Sequence, residues 1–214
     1  MPSPGNDRKF RLYAITDRHS LPGGRGSLLE FVGRASAAGI DMIQIREKDM
    51  TARDLLALVK SAVETATPRR TAVLVNDRVD IALAAGADGV HLGNHSAPPA
   101  AVREITPPGF LIGVSTHNSA EVGAAVEGGA DFIAFGPVFY TPSKAKYGEP
   151  VGVDALAQAC SQASIPVFPL GGINGENYRE LLDLPVAGLA AISLFQQADD
   201  ISNLVTQIRK TAGE

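Results

Sequence analysis

The chain has 214 residues, a length that favours one large domain, and 45% of them are apolar, an ordinary share for a globular protein. Its 19 Lys and Arg against 23 Asp and Glu leave a net charge of −4, so no basic surface points to nucleic acid or to an acidic membrane. The lone Cys160 excludes a disulfide framework and a thiolate zinc site. No apolar run approaches the roughly 18 residues of a membrane helix, and the polar first residues do not resemble a secretory signal. We therefore expect a cytoplasmic protein with a flexible segment at 1–10 and one domain at 11–214.

Short β-branched runs alternate with Ala- and Leu-rich amphipathic segments along the chain. The predicted strands are Arg11–Thr16, Met42–Arg46, Thr71–Asn76, Gly89–Gly93, Leu111–Ser115, Phe132–Val138, Pro166–Gly172 and Leu189–Ser193. The predicted helices lie near 27–38, 51–66, 78–85, 98–105, 118–128, 152–163, 175–183 and 199–212. Two of the helices begin with a capping pattern, Thr51 with Asp54 and Asn118 with Glu121.

This alternation predicts an α/β fold in which parallel strands are joined by helical crossovers. Eight strand–helix units favour a closed (β/α)8 TIM barrel over a doubly wound sheet. A dinucleotide-binding sheet would have a Gly-rich turn after strand one, whereas residues 16–19 read Thr-Asp-Arg-His. We predict a single TIM-barrel domain with its active site at the carboxyl ends of the strands.

An amide and two cations alternate at the end of predicted strand two, as Gln44, Arg46 and Lys48. With a period of two these side chains share one side of the strand and point to the mouth of the barrel. Arg binds a phosphate through two donors and Lys through a compact charge, so the pattern indicates an anionic ligand. The alternative is a solvated charge pattern that runs into a loop.

Two further strand ends carry residues able to do chemistry. Asp77 follows strand three and could hold Mg²⁺ together with phosphate oxygens, although Asp is also a good N-cap for the next helix. Strand five ends at Ser115, and His117 follows closely. A lone histidine is more often structural than catalytic, so both readings of His117 stay open.

The last strands predict a phosphate site. Gly171-Gly172 ends strand seven and Ile192-Ser193 ends strand eight, where barrels of this type bind phosphate through backbone N–H groups. The glycines could instead serve a tight turn with positive φ. The loop after strand six adds hydroxyls around a cation, in Thr141, Ser143 and Lys144. Cationic side chains after strand two and backbone N–H groups after strands seven and eight suggest that the site binds two separate anionic groups of its ligands.

Together these motifs resemble the thiamine phosphate synthase/TenI family, from Arg11 to about Lys210. The residues that carry the resemblance are Tyr13-Ala14-Ile15-Thr16-Asp17, Gln44-x-Arg46-x-Lys48, Val75-Asn76-Asp77, Gly89-Val90-His91-Leu92-Gly93, Gly113-Val114-Ser115-x-His117, Gly136-Pro137-Val138-Phe139, Thr141-x-Ser143-Lys144 and Gly171-Gly172-Ile173. Each motif is weak alone, but the ordered series at the expected strand ends is specific.

The resemblance implies a synthase that joins hydroxymethylpyrimidine pyrophosphate to thiazole phosphate and releases pyrophosphate. It implies that the pyrimidine pyrophosphate is contacted by Gln44, Arg46, Lys48, Asn76 and Lys144, with Ser115 near the pyrimidine. It implies that the thiazole phosphate is held by Thr141, Ser143, Gly171, Gly172, Ile192 and Ser193. Asp77 would carry Mg²⁺.

The chain departs from the synthase pattern after strand four, where Ser96 stands at the place of a second metal-binding Asp. The TenI branch, which contains thiazole tautomerases, also lacks that Asp and uses the strand-five histidine, here His117, as a proton shuttle. The tautomerase and a non-catalytic phosphate-ligand binder therefore stay as alternatives to the synthase. The sequence leaves open whether the barrel forms a homo-oligomer.

Overall fold

The structure, a computed structural model, describes residues 11–21, 25–142 and 148–213. Within these ranges eight strands and eight α-helices form a TIM barrel, as the alternation predicts. The strands are β1 Arg11–Ile15, β2 Met42–Ile45, β3 Ala72–Asn76, β4 Gly89–Leu92, β5 Leu111–Thr116, β6 Phe132–Phe135, β7 Val167–Pro169 and β8 Gly188–Ala191. The helices are α1 Arg25–Ala37, α2 Ala52–Ala66, α3 Val79–Ala85, α4 Pro99–Ile105, α5 Ser119–Glu127, α6 Gly152–Gln162, α7 Ser193–Gln196 and α8 Ile201–Thr211.

The sheet is parallel and nearly closed, in the order β7-β6-β5-β4-β3-β2-β1-β8. Between β7 and β8 the circle is completed by the N–H of Ala187, which donates to the carbonyl of Val167 at 2.9 Å. All eight carboxyl ends therefore meet at one mouth, where a single ligand can touch residues from distant parts of the sequence.

The strands bury both faces. One set of alternate residues packs inside the barrel, and it includes Tyr13, Leu74, Phe132 and Phe168. The opposite set, including Leu12 and Ile43, packs outward against the helices. Polar residues with the inner parity therefore point into the barrel, and near the carboxyl ends they form its site.

The main differences from the predicted elements lie at the end of the chain. The segment near 175–183 contains a 3₁₀ helix, Tyr178–Leu181, in place of an α-helix. Strand eight ends at Ala191, so Ser193 begins the short helix α7, which the sequence did not predict. Thr51 and Asn118 cap α2 and α5 as expected, accepting hydrogen bonds from the N–H groups of Asp54 and Glu121.

In the described ranges, none of the helices has the length and apolar character needed to cross a bilayer.

Candidate active site

A row of polar side chains crosses the mouth from β2 to β3. The amide nitrogen of Gln44 donates to Oδ1 of Asn76 at 3.0 Å, and the amide nitrogen of Asn76 donates to Oδ2 of Asp77 at 2.8 Å. Gln44 is buried, Asn76 is half-buried and Asp77 is exposed, so the row runs from the barrel interior to solvent. These three predicted site residues are therefore brought together.

Asp77 has left-handed backbone, with φ of +60°. This conformation is uncommon outside glycine, although Asp tolerates it better than most residues, and it marks a constrained position. The alternative role of Asp77 as the cap of the next helix is not realised, because Arg78 is the N-cap of α3 and the cap has no side-chain hydrogen bond. Oδ1 of Asp77 instead accepts from the N–H of Gly93 and from the hydroxyl of Ser96.

A cavity of about 310 Å³ opens beside this carboxylate. Lys48, Asn76, Asp77 and Arg78 bring cationic, amide and acidic groups to its wall. Lys48 lies beyond the end of β2 and is exposed. The cavity can receive an anion between Lys48 and the Asp77 carboxylate, which suits a metal-bound phosphate group.

Buried Glu47 fixes the backbone around Arg46, and sequence reasoning gave it no role. The hydroxyl of Thr16 donates to Glu47 Oε1 at 2.7 Å and accepts from the N–H of Arg46 at 3.0 Å. Arg18 bridges Glu47 and Asp49, and these hydrogen bonds lower the pKa of Asp49 and raise that of Arg18. The ends of β1 and β2 are therefore tied together next to the half-buried Arg46.

Aromatic rings form the floor below the mouth. Tyr13 packs edge-on against Phe132 and Phe168, and its hydroxyl lies 3.1 Å from Nδ1 of His91. The other ring nitrogen of His91 lies 2.9 Å from the Ser115 hydroxyl. Burial lowers the pKa of His91 to about 4, an effect that the Asp77 charge opposes and the Arg46 charge reinforces. His91 is therefore neutral near neutral pH.

His117 is bonded to helix α5. Its Nδ1 lies 3.0 Å from Oε2 of Glu121, and its backbone N–H donates to the same oxygen at 2.7 Å. A carboxylate can only accept, so Nδ1 carries a proton and Nε2 is the basic nitrogen of the neutral ring. The Asn118–Glu121 pattern predicts only a helix cap, yet Glu121 also orients the His117 ring through its contact with Nδ1.

The glycines after β7 have the left-handed backbone that a tight turn requires. Gly171 and Gly172 have φ of +99° and +67°. A Cβ at Gly172 would lie 2.5 Å from the carbonyl oxygen of Tyr140, so this turn packs directly against the loop after β6. Thr141 is the next residue of that loop, whereas Ser143 and Lys144 lie outside the described residues.

The end of β8 adjoins this turn. Ile192 packs against the inner apolar cluster together with Leu170, the residue just before the glycines. Ser193 is half-buried at the first position of α7. These positions agree with the predicted order of strand ends, while the phosphate contact itself stays a prediction.

Asp77 is the side chain best suited to hold Mg²⁺. Among the described residues, no group of three or more His, Cys, Asp and Glu side chains gathers into a metal site. One exposed carboxylate beside the Ser96 hydroxyl fits an ion that takes most of its oxygens from a phosphorylated substrate and water. The Ser96 hydroxyl donates a hydrogen bond to Asp77 Oδ1, while metal binding at this pair stays a prediction.

The sequence predicts Gln44, Asn76 and Ser115 as site residues but does not predict that Tyr13 and His91 connect them. In the sequence, Tyr13 and His91 stand only within motifs that carry the family resemblance. What distinguishes them in the sequence is their position. Both are polar residues at the alternate strand positions that face the barrel interior, where most side chains are apolar.

Comparisons with known proteins agree with this geometry. The sequence profile of the family described as thiamine monophosphate synthase matches residues 12–195. A Geobacter sulfurreducens protein named "Putative thiamine-phosphate synthase" is 56% identical over 185 residues, which cover 86% of this chain and 85% of the relative. The thiamine-phosphate synthase of Clostridium novyi is 39% identical over 195 residues, which cover 91% and 95% of the two chains.

A solved structure gives the same answer at the level of the fold. The thiamine phosphate pyrophosphorylase of Pyrococcus furiosus superposes with a TM-score of 0.84 and 34% identity, covering 96% of each chain. Profile, sequence relatives and structure agree over most of the barrel. The chain belongs to the thiamine monophosphate synthase family.

Proposed function

We propose that the protein is a thiamine phosphate synthase, an enzyme of thiamine biosynthesis that joins hydroxymethylpyrimidine pyrophosphate to thiazole phosphate and releases pyrophosphate. The observation that carries the proposal is the Gln44–Asn76–Asp77 row, which opens into a cavity shared with Lys48. Family membership supplies the substrates, since both names come from the resemblance. The cytoplasmic location stays a prediction.

The reaction needs charge placed correctly more than it needs a nucleophile from the protein. The bond between the pyrimidine methylene carbon and the pyrophosphate oxygen breaks, and the pyrimidine ring stabilises the resulting cation. The thiazole then forms a bond to that carbon, and the electron pair of the broken bond leaves with pyrophosphate. Catalysis therefore consists of positioning two substrates and stabilising a departing anion.

Each site residue has a task in this scheme. Arg46, Lys48 and Lys144 neutralise the pyrophosphate, and Gln44 and Asn76 position the pyrimidine substrate. Asp77 would hold Mg²⁺ beside Ser96, and the ion when bound would add positive charge against the leaving group. The loop at Thr141 and Ser143, the glycines 171 and 172, and the pair Ile192 and Ser193 would hold the thiazole phosphate.

Product formation tests the proposal. Purified protein is incubated with both precursors, with each precursor alone and with both in a chelator, and thiamine phosphate is measured by chromatography. We expect product only when both precursors and Mg²⁺ are present. If no thiamine phosphate forms at any Mg²⁺ concentration tested, the synthase is rejected.

His117 supports a second candidate, the thiazole tautomerase. Its Nδ1 is held by Glu121, which leaves Nε2 as a base, and Ser96 replaces an Asp that the synthase branch uses. A tautomerase would exchange a thiazole proton with solvent deuterium without any pyrimidine, and His117→Gln would abolish that exchange. A non-catalytic binder would retain the thiazole phosphate but show neither exchange nor product.

A further inference from the structure

Hydrogen bonds join one wall of the mouth to the other through the barrel interior. The members of this chain of contacts, in spatial order, are Asp77, Asn76, Gln44, Tyr13, His91 and Ser115. The three central members, from Gln44 to His91, are each at most 3% exposed. Solvent therefore cannot supply alternative partners there, and each group must satisfy its neighbours.

The Asp77 carboxylate fixes the first links. A carboxylate only accepts, so the group of Asn76 that lies 2.8 Å from Oδ2 must be its NH₂. The carbonyl oxygen of Asn76 then faces Gln44 at 3.0 Å and needs a donor, which is the NH₂ of Gln44. Reversal of either amide would bring two acceptors together.

The Tyr13 hydroxyl forms the next two hydrogen bonds of the chain. With its NH₂ committed to Asn76, Gln44 presents its carbonyl oxygen to the Tyr13 hydroxyl at 3.3 Å. The phenol has one proton and donates it there, so its oxygen accepts from the next group. That group is Nδ1 of His91 at 3.1 Å, which must therefore carry a proton.

The histidine completes the sequence of donors. In its neutral form the ring carries a single proton, and Nδ1 holds it because the Tyr13 oxygen needs a donor. Nε2 is then a bare acceptor and takes the proton of the Ser115 hydroxyl at 2.9 Å. Ser115 is left with lone pairs for any group above it.

We propose that the Asp77 carboxylate sets this direction, so that Ser115 presents an acceptor, and not a donor, to the ligand at the mouth. The matching ligand feature is an N–H or O–H group that points into the barrel, and Tyr13 and His91 are positioning residues for it. Only the identity of that ligand as the pyrimidine substrate rests on the proposed function.

The packing holds the histidine ring in this arrangement. Its ring centroid lies 5.8 Å from that of Tyr13 and 5.9 Å from that of Phe132. Gly113 leaves the necessary space, because a Cβ there would lie 2.8 Å from Nδ1 of His91. The ring therefore has little room to turn over and exchange its two nitrogens.

The tautomer of His91 is directly measurable by ¹⁵N NMR of the ligand-free protein. The His91 signals are assigned by their loss in His91→Gln, since the chain has four histidines. We expect protonated Nδ1 and bare Nε2 near neutral pH. A ring protonated at Nε2 would overturn the proposal, and this readout stands whether or not the protein is a synthase.

The control exerted by Asp77 is tested by Asp77→Asn. An amide can donate as well as accept, so the fixed direction is lost and the form protonated at Nε2 should appear at His91. Glu121→Gln is the matched control, because it makes the same change beside His117 and should leave His91 unchanged. A tautomer unaffected by Asp77→Asn would reject the role of the carboxylate.

The functional consequence is tested by Tyr13→Phe, which removes the link and keeps the ring. We expect His91 to move its proton to Nε2 and kcat/KM for the pyrimidine substrate to fall at least about tenfold, with KM for thiazole phosphate unchanged. Tyr178→Phe is the control, since that buried hydroxyl has no hydrogen-bond partner among the described residues. Equal kinetics of the two variants would contradict the proposal, whereas a wild-type protein without turnover would reject only the synthase.

Discussion

At the scale of single residues, Arg46 carries the clearest test of the pyrophosphate site. It is half-buried at the mouth, and its charge reaches His91 inside the barrel. Arg46→Ala should cost about 2 kcal/mol of transition-state stabilisation, roughly thirtyfold in kcat/KM. We expect the same of Lys144→Ala. Steady-state kinetics measures both, and Lys60→Ala, which removes an exposed cation of α2, is the control. Unchanged turnover in Arg46→Ala would remove this residue from the mechanism.

We expect Ser96 to set how strongly the site holds Mg²⁺. Its hydroxyl lies against Asp77 Oδ1, where a second carboxylate would raise the affinity for Mg²⁺. Ser96→Asp should therefore lower the Mg²⁺ concentration at half-maximal product formation. Ser202→Asp on the exposed face of α8 adds the same charge elsewhere and should leave it unchanged. If Ser96→Asp leaves the Mg²⁺ concentration at half-maximal product formation unchanged, Mg²⁺ binding does not depend on this position.

At the scale of elements, the order of the strands is predictable because they alternate with helices, whereas strands six and seven each end three residues earlier than predicted, at Phe135 and Pro169. Gln44 and Asn76 lie within strands that the alternation predicts, and the structure joins them by a hydrogen bond. The short helix at Ser193 was not predictable, because four residues are too few for a periodic signal. The role of Glu47 was not predictable because a charged residue in a loop is normally solvated. Here it is buried and accepts hydrogen bonds from Thr16 and Arg18.

Gly172 joins two elements, the turn after β7 and the loop after β6. Gly172→Ala should destabilise the fold by at least about 1 kcal/mol, because an L-residue resists positive φ and its Cβ would collide with the Tyr140 carbonyl. It should also raise KM for thiazole phosphate, since the turn would shift the loop that carries Thr141. Urea unfolding and kinetics measure the two effects. Gly175→Ala, with no atom near the added Cβ, is the control, and equal stability of the variants would contradict the packing argument.

At the scale of the whole molecule, buried His91 makes stability depend on pH. Its pKa is about 4 in the folded state, against about 6.5 in the unfolded chain. The unfolded state therefore binds more protons between these values, and stability is lost as pH falls through that window. The loss from this group is about 2 kcal/mol between roughly pH 7 and pH 5. Urea unfolding of wild type and His91→Gln measures it, and an equal pH dependence in both would show that His91 is not the cause.

We propose that one barrel mouth brings two phosphorylated substrates together and joins them. This proposal is tested by measuring the thiamine phosphate formed and the pyrophosphate released in the same reaction of the wild-type protein with both precursors and Mg²⁺. We expect equal amounts of the two products at all times. Pyrophosphate released without thiamine phosphate, or neither product, would contradict it.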